Sequence, residues 1–219
     1  MTSPDQREQI TKGLPLEDIK KINILENNEP LVEIAESDKI KFLSNHKYLS
    51  PNLRKTAREL LYLAASNLPP GHRLLIITAY RSRGLQKELY NNRLRQLAKK
   101  HPFKMIFNYR EWKKIVSRYT SPPGGSSHQC GGALDVAVID TKGNRLDMGT
   151  ELTDFGAKVH TENNLITDAQ RKNRKVLYDV MTKAGFVNYP LEWWHYCYGD
   201  RMWAAYTRRE ECFYGPIPD

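Results

Sequence analysis

Cysteine is scarce in this chain. The three present, Cys130, Cys197 and Cys212, are too few and odd in number to form a disulfide framework. They are expected as buried or half-buried thiols in reducing surroundings. Long hydrophobic runs are also missing: nothing approaches the ~20 apolar residues that a bilayer-spanning helix requires, so no membrane span is expected. No internal repeat, low-complexity tract or linker occurs, which excludes solenoids and extended arrays. The opening Met1-Thr2-Ser3-Pro4-Asp5-Gln6 lacks the basic and apolar blocks of a secretory leader. The expected location is cytoplasmic, or periplasmic if a signal peptide has been removed. Acidic residues are outnumbered, 25 against 34 Lys and Arg, for a net charge of +9. The basic residues are dispersed, with only short clusters such as Arg171-Lys172-Asn173-Arg174-Lys175. They read as solvated helix faces, and no nucleic-acid partner is expected.

What is there suits one globular domain. A chain of 219 residues with 40% hydrophobic residues can bury a substantial core. The expected organisation is a single domain over 1–219, with 1–50 as an N-terminal extension and a catalytic core at about 51–210. Leu31 to Ala35 reads as a brief strand. Ser50-Pro51 opens an expected helix in which Leu53, Ala57, Leu60, Leu61 and Ala64 recur at helical spacing to about Ser66. Arg73 to Tyr80 is a short apolar run rich in β-branched residues, a buried strand. Arg81 to Gly84 turns the chain into a helix over about 85–100, and another is expected over 109–118. The strongest loop signal follows at 120–127, with its paired prolines and glycines. Ala133 to Ile139 reads as a strand. Thr167 caps a helix from Asp168 to about Lys183 that Gly185 closes. Phe186–Tyr189 and Trp193–Tyr198 read as the final strands. The pattern predicts an α+β fold: a central, mostly antiparallel sheet with helices packed on it.

Two clusters carry the chemistry. In the first, His128 and Asp135 flank Gly131-Gly132, which permit a bend, so a loop histidine can converge with a strand aspartate. Taken alone, His128 reads as a surface-loop residue. Asp135 is harder to dismiss, because an acid centred in an apolar strand costs several kcal/mol unless it is paired or bound to metal. Ala133, Asp135 and Ala137 share one face of that strand, leaving room for a ligand. Cys130 is a weaker candidate ligand. In the second cluster, Glu192 precedes Trp193-Trp194-His195. An aromatic core strand accounts for the tryptophans but leaves the Glu and His unexplained. Two histidines and a carboxylate form a three-ligand set with an open fourth position, the pattern of catalytic zinc. Glu192 is then the candidate general base. Arg81, at the end of the RLLIITAY strand, is the candidate oxyanion partner, although its position also suits a solvent-facing turn arginine.

Ser126-x-His128-x-x-Gly131-x-Ala133-x-Asp135, followed by Glu192-x-Trp194-His195, resembles the paired signature of zinc D-alanyl-D-alanine dipeptidases. That branch includes the vancomycin-resistance dipeptidases and is related to D,D-carboxypeptidases. At ordinary residue usage, the five positions of the first motif coincide by chance about once in 10⁶ starts. The resemblance runs from roughly Ile77 to Tyr198. It implies one zinc per chain held by His128, Asp135 and His195, with Glu192 as base and Arg81 stabilising the transition state. It further implies substrate contacts from Ser126, Ser127, Tyr80, Trp193 and Asp154. Leu146-Asp147-Met148-Gly149-Thr150 also resembles a dipeptidase segment. Family members commonly carry an aromatic and then an acid two and three places after that Thr; here stand Leu152 and Thr153, and Asp154 follows one place late.

The leading expectation is hydrolysis of D-alanyl-D-alanine or a similar small D-amino dipeptide. A D,D- or L,D-carboxypeptidase acting on peptidoglycan stem peptides is the second reading, motivated by the departure at Thr153. An inactive metal-stabilised binding module is the third.

Overall fold

The architecture grows from one strand that is buried on both faces. The computed structural model describes residues 13–44, 50–100, 112, 116, 121–152, 154 and 156–218. In chain order the elements are α1 (Leu16–Lys21), β1 (Asn23–Ile24), β2 (Leu31–Glu33), β3 (Ile40–Phe42), β4 (Asn52–Arg54), α2 (Lys55–Ser66) and β5 (Arg73–Thr78). Then come α3 (Arg83–Lys100), β6 (Ala133–Ile139), α4 (Asp168–Ala184), β7 (Val187–Asn188), β8 (His195–Cys197), α5 (Arg201–Tyr206) and β9 (Glu211–Cys212). Five strands form the central sheet in the order β3-β5-β6-β8-β7. Only β3–β5 is parallel; the other three pairings are antiparallel. The fold is therefore the expected α+β arrangement.

Strand β6 sits in the middle and divides its side chains between two layers. Leu134, Val136 and Val138 enter the main core with Leu61 and Ala64 of α2 and Leu177, Met181 and Ala184 of α4. Ala133 faces the other way, into a smaller cluster with Cys197, Trp203, Ala204 and Cys212. Burying a leucine such as Leu61 or Leu177, both fully inaccessible, stabilises the fold by about 1.5–3 kcal/mol. Helix α4 begins and ends as expected: the Thr167 side chain accepts from the Gln170 N–H, and Gly185 closes it at φ 112°.

Three expectations are corrected. The helix expected from Ser50-Pro51 begins at Lys55, because Asn52–Arg54 pairs antiparallel with β2. Leu53 is fully buried and Arg54 N–H donates to Gly131 O at 2.7 Å. Ladder bonds and burial outweigh the helical spacing. The last two strands are shorter than expected, Val187–Asn188 and His195–Cys197, because Pro190 to Trp194 form the turn between them. The strand expected at Leu31–Ala35 stops at Glu33. The helix expected over 109–118 lies outside the described residues except for Trp112 and Val116. Both are helical and buried with Tyr90 and Leu97 of α3.

The segment before β4 joins the same core. Ile34 and Ile40 are buried in it, and β3 forms the sheet edge. β1 pairs with β9, tying residues 23–24 to 211–212. Arg54, 5% exposed, reinforces this closure. Its guanidinium donates to Cys130 O at 3.0 Å, to Glu29 O, and to Glu26 Oε2 at 3.1 Å. Ile217 N–H meets Gln129 O at 2.9 Å.

Candidate metal centre

Sheet register brings the first two candidate ligands together. Asp135 is paired directly with His195 across β6 and β8. Directly paired residues of antiparallel strands carry Cβ atoms roughly 4.5–5.5 Å apart on one face. The third ligand comes from a 3₁₀ turn, Ser127–Cys130, just before β6. Gly131 then takes φ 71°, a conformation that favours glycine, and swings the chain into the strand. Gly132 is needed for a different reason: a Cβ there would stand 2.1 Å from Tyr198 O.

The candidate ligand atoms of His128, Asp135 and His195 all lie within 4.8 Å of one another. His195 Nδ1 is 2.9 Å from Asp135 Oδ1, and His128 Nε2 is 3.4 Å from Asp135 Oδ2. Tetrahedral zinc ligands at 2.0–2.1 Å stand about 3.3 Å apart; the two contacts to Asp135, made through different oxygens, bracket that value, and all three residues are within reach of one ion. The chemistry suits it as well. His128 Nδ1 lies 2.7 Å from Ala79 O, which can only accept, so Nδ1 carries the proton. Nε2 then faces the Asp135 carboxylate, donating to it when the ring is protonated and offering a lone pair to a cation when it is not. In the neutral form two electron-rich atoms face each other, an arrangement that a cation between them relieves. Ser127 Oγ, 2.9 Å from His195 Nε2, fixes the second ring.

The electrostatics set the two carboxylates apart. Burial opposes ionisation of Asp135, yet the charge and hydrogen bonds of His128 and His195 hold its carboxyl well below the usual range. Burial lowers the His128 pKa. Burial also opposes His195, but its hydrogen bond to Asp135 prevails and raises it. Glu192 has no such bonds to its carboxylate in the centre. Burial pushes its carboxyl up to about 7, against the pull of His195 and Arg81.

Glu192 and His195 are held at the backbone. Asn188, 6% exposed, donates through Nδ2 to Glu192 O at 3.2 Å and His195 O at 3.0 Å. Arg81 is anchored by Gln86, whose Oε1 accepts from Nη1 at 2.9 Å and whose Nε2 donates to Ser121 O at 2.6 Å. Arg81 Nε is buried with no hydrogen-bond partner. Burial lowers its pKa, while Asp135 and Glu192 raise it. All five charged residues singled out in the sequence therefore converge.

The remaining candidates are placed as follows. Ser126 is buried, and its N–H is met by Gln129 Oε1 at 3.4 Å. Tyr80 is half-buried beside Arg81, and its N–H donates to Asn52 O at 2.9 Å. Trp193 is buried; its indole N–H donates to Thr150 Oγ1 at 2.9 Å, and Arg174 lies over its ring. Asp154 is exposed, and its carboxylate accepts from Glu151 N–H within its own turn. Thr153 lies outside the described residues. Cys130 is buried, with Arg54 rather than the ligands at its carbonyl.

Three residues escaped the sequence reading. Gln86 is fully buried together with Tyr90 and Leu97; its helical spacing from those two was a usable signal. Arg174, 2% exposed, donates to Met148 O and Lys158 O, both at 2.8 Å, and to His160 O. It was absorbed into a basic cluster. Asn188 left no signal, because its role exists only after the β7–β8 turn has formed.

A family model described as D-ala-D-ala dipeptidase, of the M15 peptidases, matches residues 52–215. A D-alanyl-D-alanine dipeptidase of Synechocystis sp. is 26% identical over 236 residues, covering 89% of this chain and 92% of that protein. The D-alanyl-D-alanine dipeptidase of Escherichia coli is 38% identical over 72 residues, 33% of this chain and 37% of its own. Among solved structures, the LdcB LD-carboxypeptidase aligns at a TM-score of 0.49 with 20% identity, covering 89% of this chain and 82% of that one. VanYB in complex with D-alanine-D-alanine aligns at 0.46 with 17% identity, covering 86% and 93%. The family match spans the whole cluster from Arg81 to His195, and on that ground the chain belongs to the D-Ala-D-Ala dipeptidase family of M15 metallopeptidases.

Proposed function

We propose that the protein hydrolyses D-alanyl-D-alanine, or a similar small D-amino dipeptide, using one zinc ion per chain held by His128, Asp135 and His195. The observation that carries this reading is the convergence of that ligand set with Glu192, a half-buried residue two positions before the Trp194-His195 pair, whose carboxyl is raised by desolvation. Zinc bound there supplies Lewis acidity and lowers the pKa of water towards ~7. Glu192 takes a proton from the attacking water and returns it to the departing amine, a task suited to a group titrating near neutrality. The unpartnered Arg81 Nε is a donor left over for the oxyanion that develops on the substrate carbonyl. Gln86 keeps the guanidinium from swinging away.

A carboxypeptidase acting on peptidoglycan stem peptides is the second reading. It is favoured by Asp154, which is committed to its own turn where a dipeptidase needs an acid for the substrate ammonium. The test is metal analysis of the purified protein together with free D,D-, L,D- and L,L-dipeptides and N-blocked D,D-peptides. Equimolar zinc and turnover of free D-alanyl-D-alanine are expected. Zinc-loaded protein that cleaves only blocked peptides transfers the assignment to the carboxypeptidase.

A further inference from the structure

Thr78 occupies an unusual place beside the candidate ligands. It is 2% exposed, and its hydroxyl is one of four buried side-chain polar atoms without a hydrogen-bond partner among the described residues. A buried hydroxyl left unpaired costs about 1–3 kcal/mol, so its position needs a reason. Register supplies one. Along β5 and β6 the pairs run Leu74–Val138, Leu75–Ala137 and Ile76–Val136, and continuing that count would set Ile77 against Asp135. The ladder instead shifts, and Thr78 is the residue paired with Asp135. Bulges re-aim side chains in this way and are common beside active sites. Asp135 thus has His195 as its partner on β8 and a hydroxyl-bearing residue as its partner on β5.

The donor arithmetic completes the argument. Both Asp135 oxygens are faced by imidazole nitrogens, His195 Nδ1 and His128 Nε2. A nitrogen that gives its lone pair to a cation cannot also donate a proton to the carboxylate. A liganding aspartate uses one oxygen for the metal, and its second oxygen then needs another donor. Such outer partners set the orientation and strength of a metal ligand. We infer that Thr78 is a positioning residue of the metal centre, its hydroxyl donating to Asp135 when both imidazoles are engaged with zinc.

This inference rests on the zinc reading above, and its test separates the two. Zinc-loaded wild type, Thr78→Val and Thr78→Ser are titrated with a chromophoric chelator, with folding followed by circular dichroism on the same samples. Valine keeps the shape and removes the hydroxyl; serine keeps the hydroxyl. The Val variant is expected to yield its zinc 10–100-fold more readily, the usual effect of deleting an outer partner. The Ser variant should stay within about 3-fold of wild type, since the donor survives. Val holding zinc as tightly as wild type, or Ser losing it as readily as Val, overturns the role of Thr78 alone. Wild type that binds no zinc overturns the metal reading and this inference together. If the Val variant does not fold, Thr78→Ala, which also lacks the hydroxyl, takes its place in the comparison.

Discussion

Two layers one register step apart use the same three pieces of backbone and do opposite things. The turn before β6, β6 itself and β8 present His128, Asp135 and His195 on one level. Two residues along, they present Cys130, Ala133 and Cys197. The first level concentrates charge, and the second buries thiols that desolvation pushes well above their ordinary pKa. Each layer has an aspartate, half-buried in the first and buried in the second. Asp135, flanked by imidazoles, is driven down, whereas Asp200, at the N-terminus of α5, is raised by burial to about 6. Asp200 does accept the Trp203 N–H at 2.8 Å, but its backbone donors, the His195 charge and the Cys197 thiol together do not offset its desolvation. Two imidazoles in contact with the carboxylate set Asp135 apart.

The sharpest way to break this contrast is to remove one member from each layer. Asp135→Ala should lose zinc and with it all measurable turnover, while Cys130→Ala should keep its zinc, as read by metal analysis. Zinc lost from both would make Cys130 a ligand. Glu192→Gln comes next: zinc should remain while kcat falls about 10²–10⁴-fold, and an unchanged kcat removes Glu192 as the base. Arg81→Ala should depress kcat by about 10²–10³-fold, with a smaller change in KM. A change confined to KM would return Arg81 to simple substrate binding.

The smallest effect concerns stability. Asp200 titrates at about 6 in the folded chain against 3.8 ordinarily, so between those values the folded state holds a proton that the unfolded state has released. The stability this group contributes is greatest below about pH 4 and is lost as pH rises through about 6. The shift corresponds to roughly 3 kcal/mol. Asp200→Asn retains an acceptor for Trp203 N–H and cannot ionise. In urea unfolding its stability relative to wild type should therefore climb by roughly 2–3 kcal/mol between about pH 4 and pH 7. Parallel curves for the two proteins would show that Asp200 is not strained by burial.

The sequence announced the charged layer clearly, because charge in apolar surroundings is conspicuous. An Asp within ALDVAVI and a Glu and His among tryptophans have few structural excuses. Helix α4 was equally legible, since Thr167 and Gly185 mark its ends with local chemistry. The β4 strand was not. Leu53 fits a helical stripe, and only the partner β2, some twenty residues upstream, makes it a strand. Asn188 and Thr78 were invisible for a related reason: a bond to a carbonyl across a turn and a one-residue slip in a ladder are properties of pairing, not of local composition.

The closure of the ligand turn by Ile217 and Arg54 bears on how the centre is assembled in a cell. The turn that presents His128 is synthesised well before the residue that braces it. A growing chain therefore exposes one imidazole and one carboxylate to free metal while the rest of the cage is still unmade. The turn is fully braced only once the late-made residues have folded back beside Gln129.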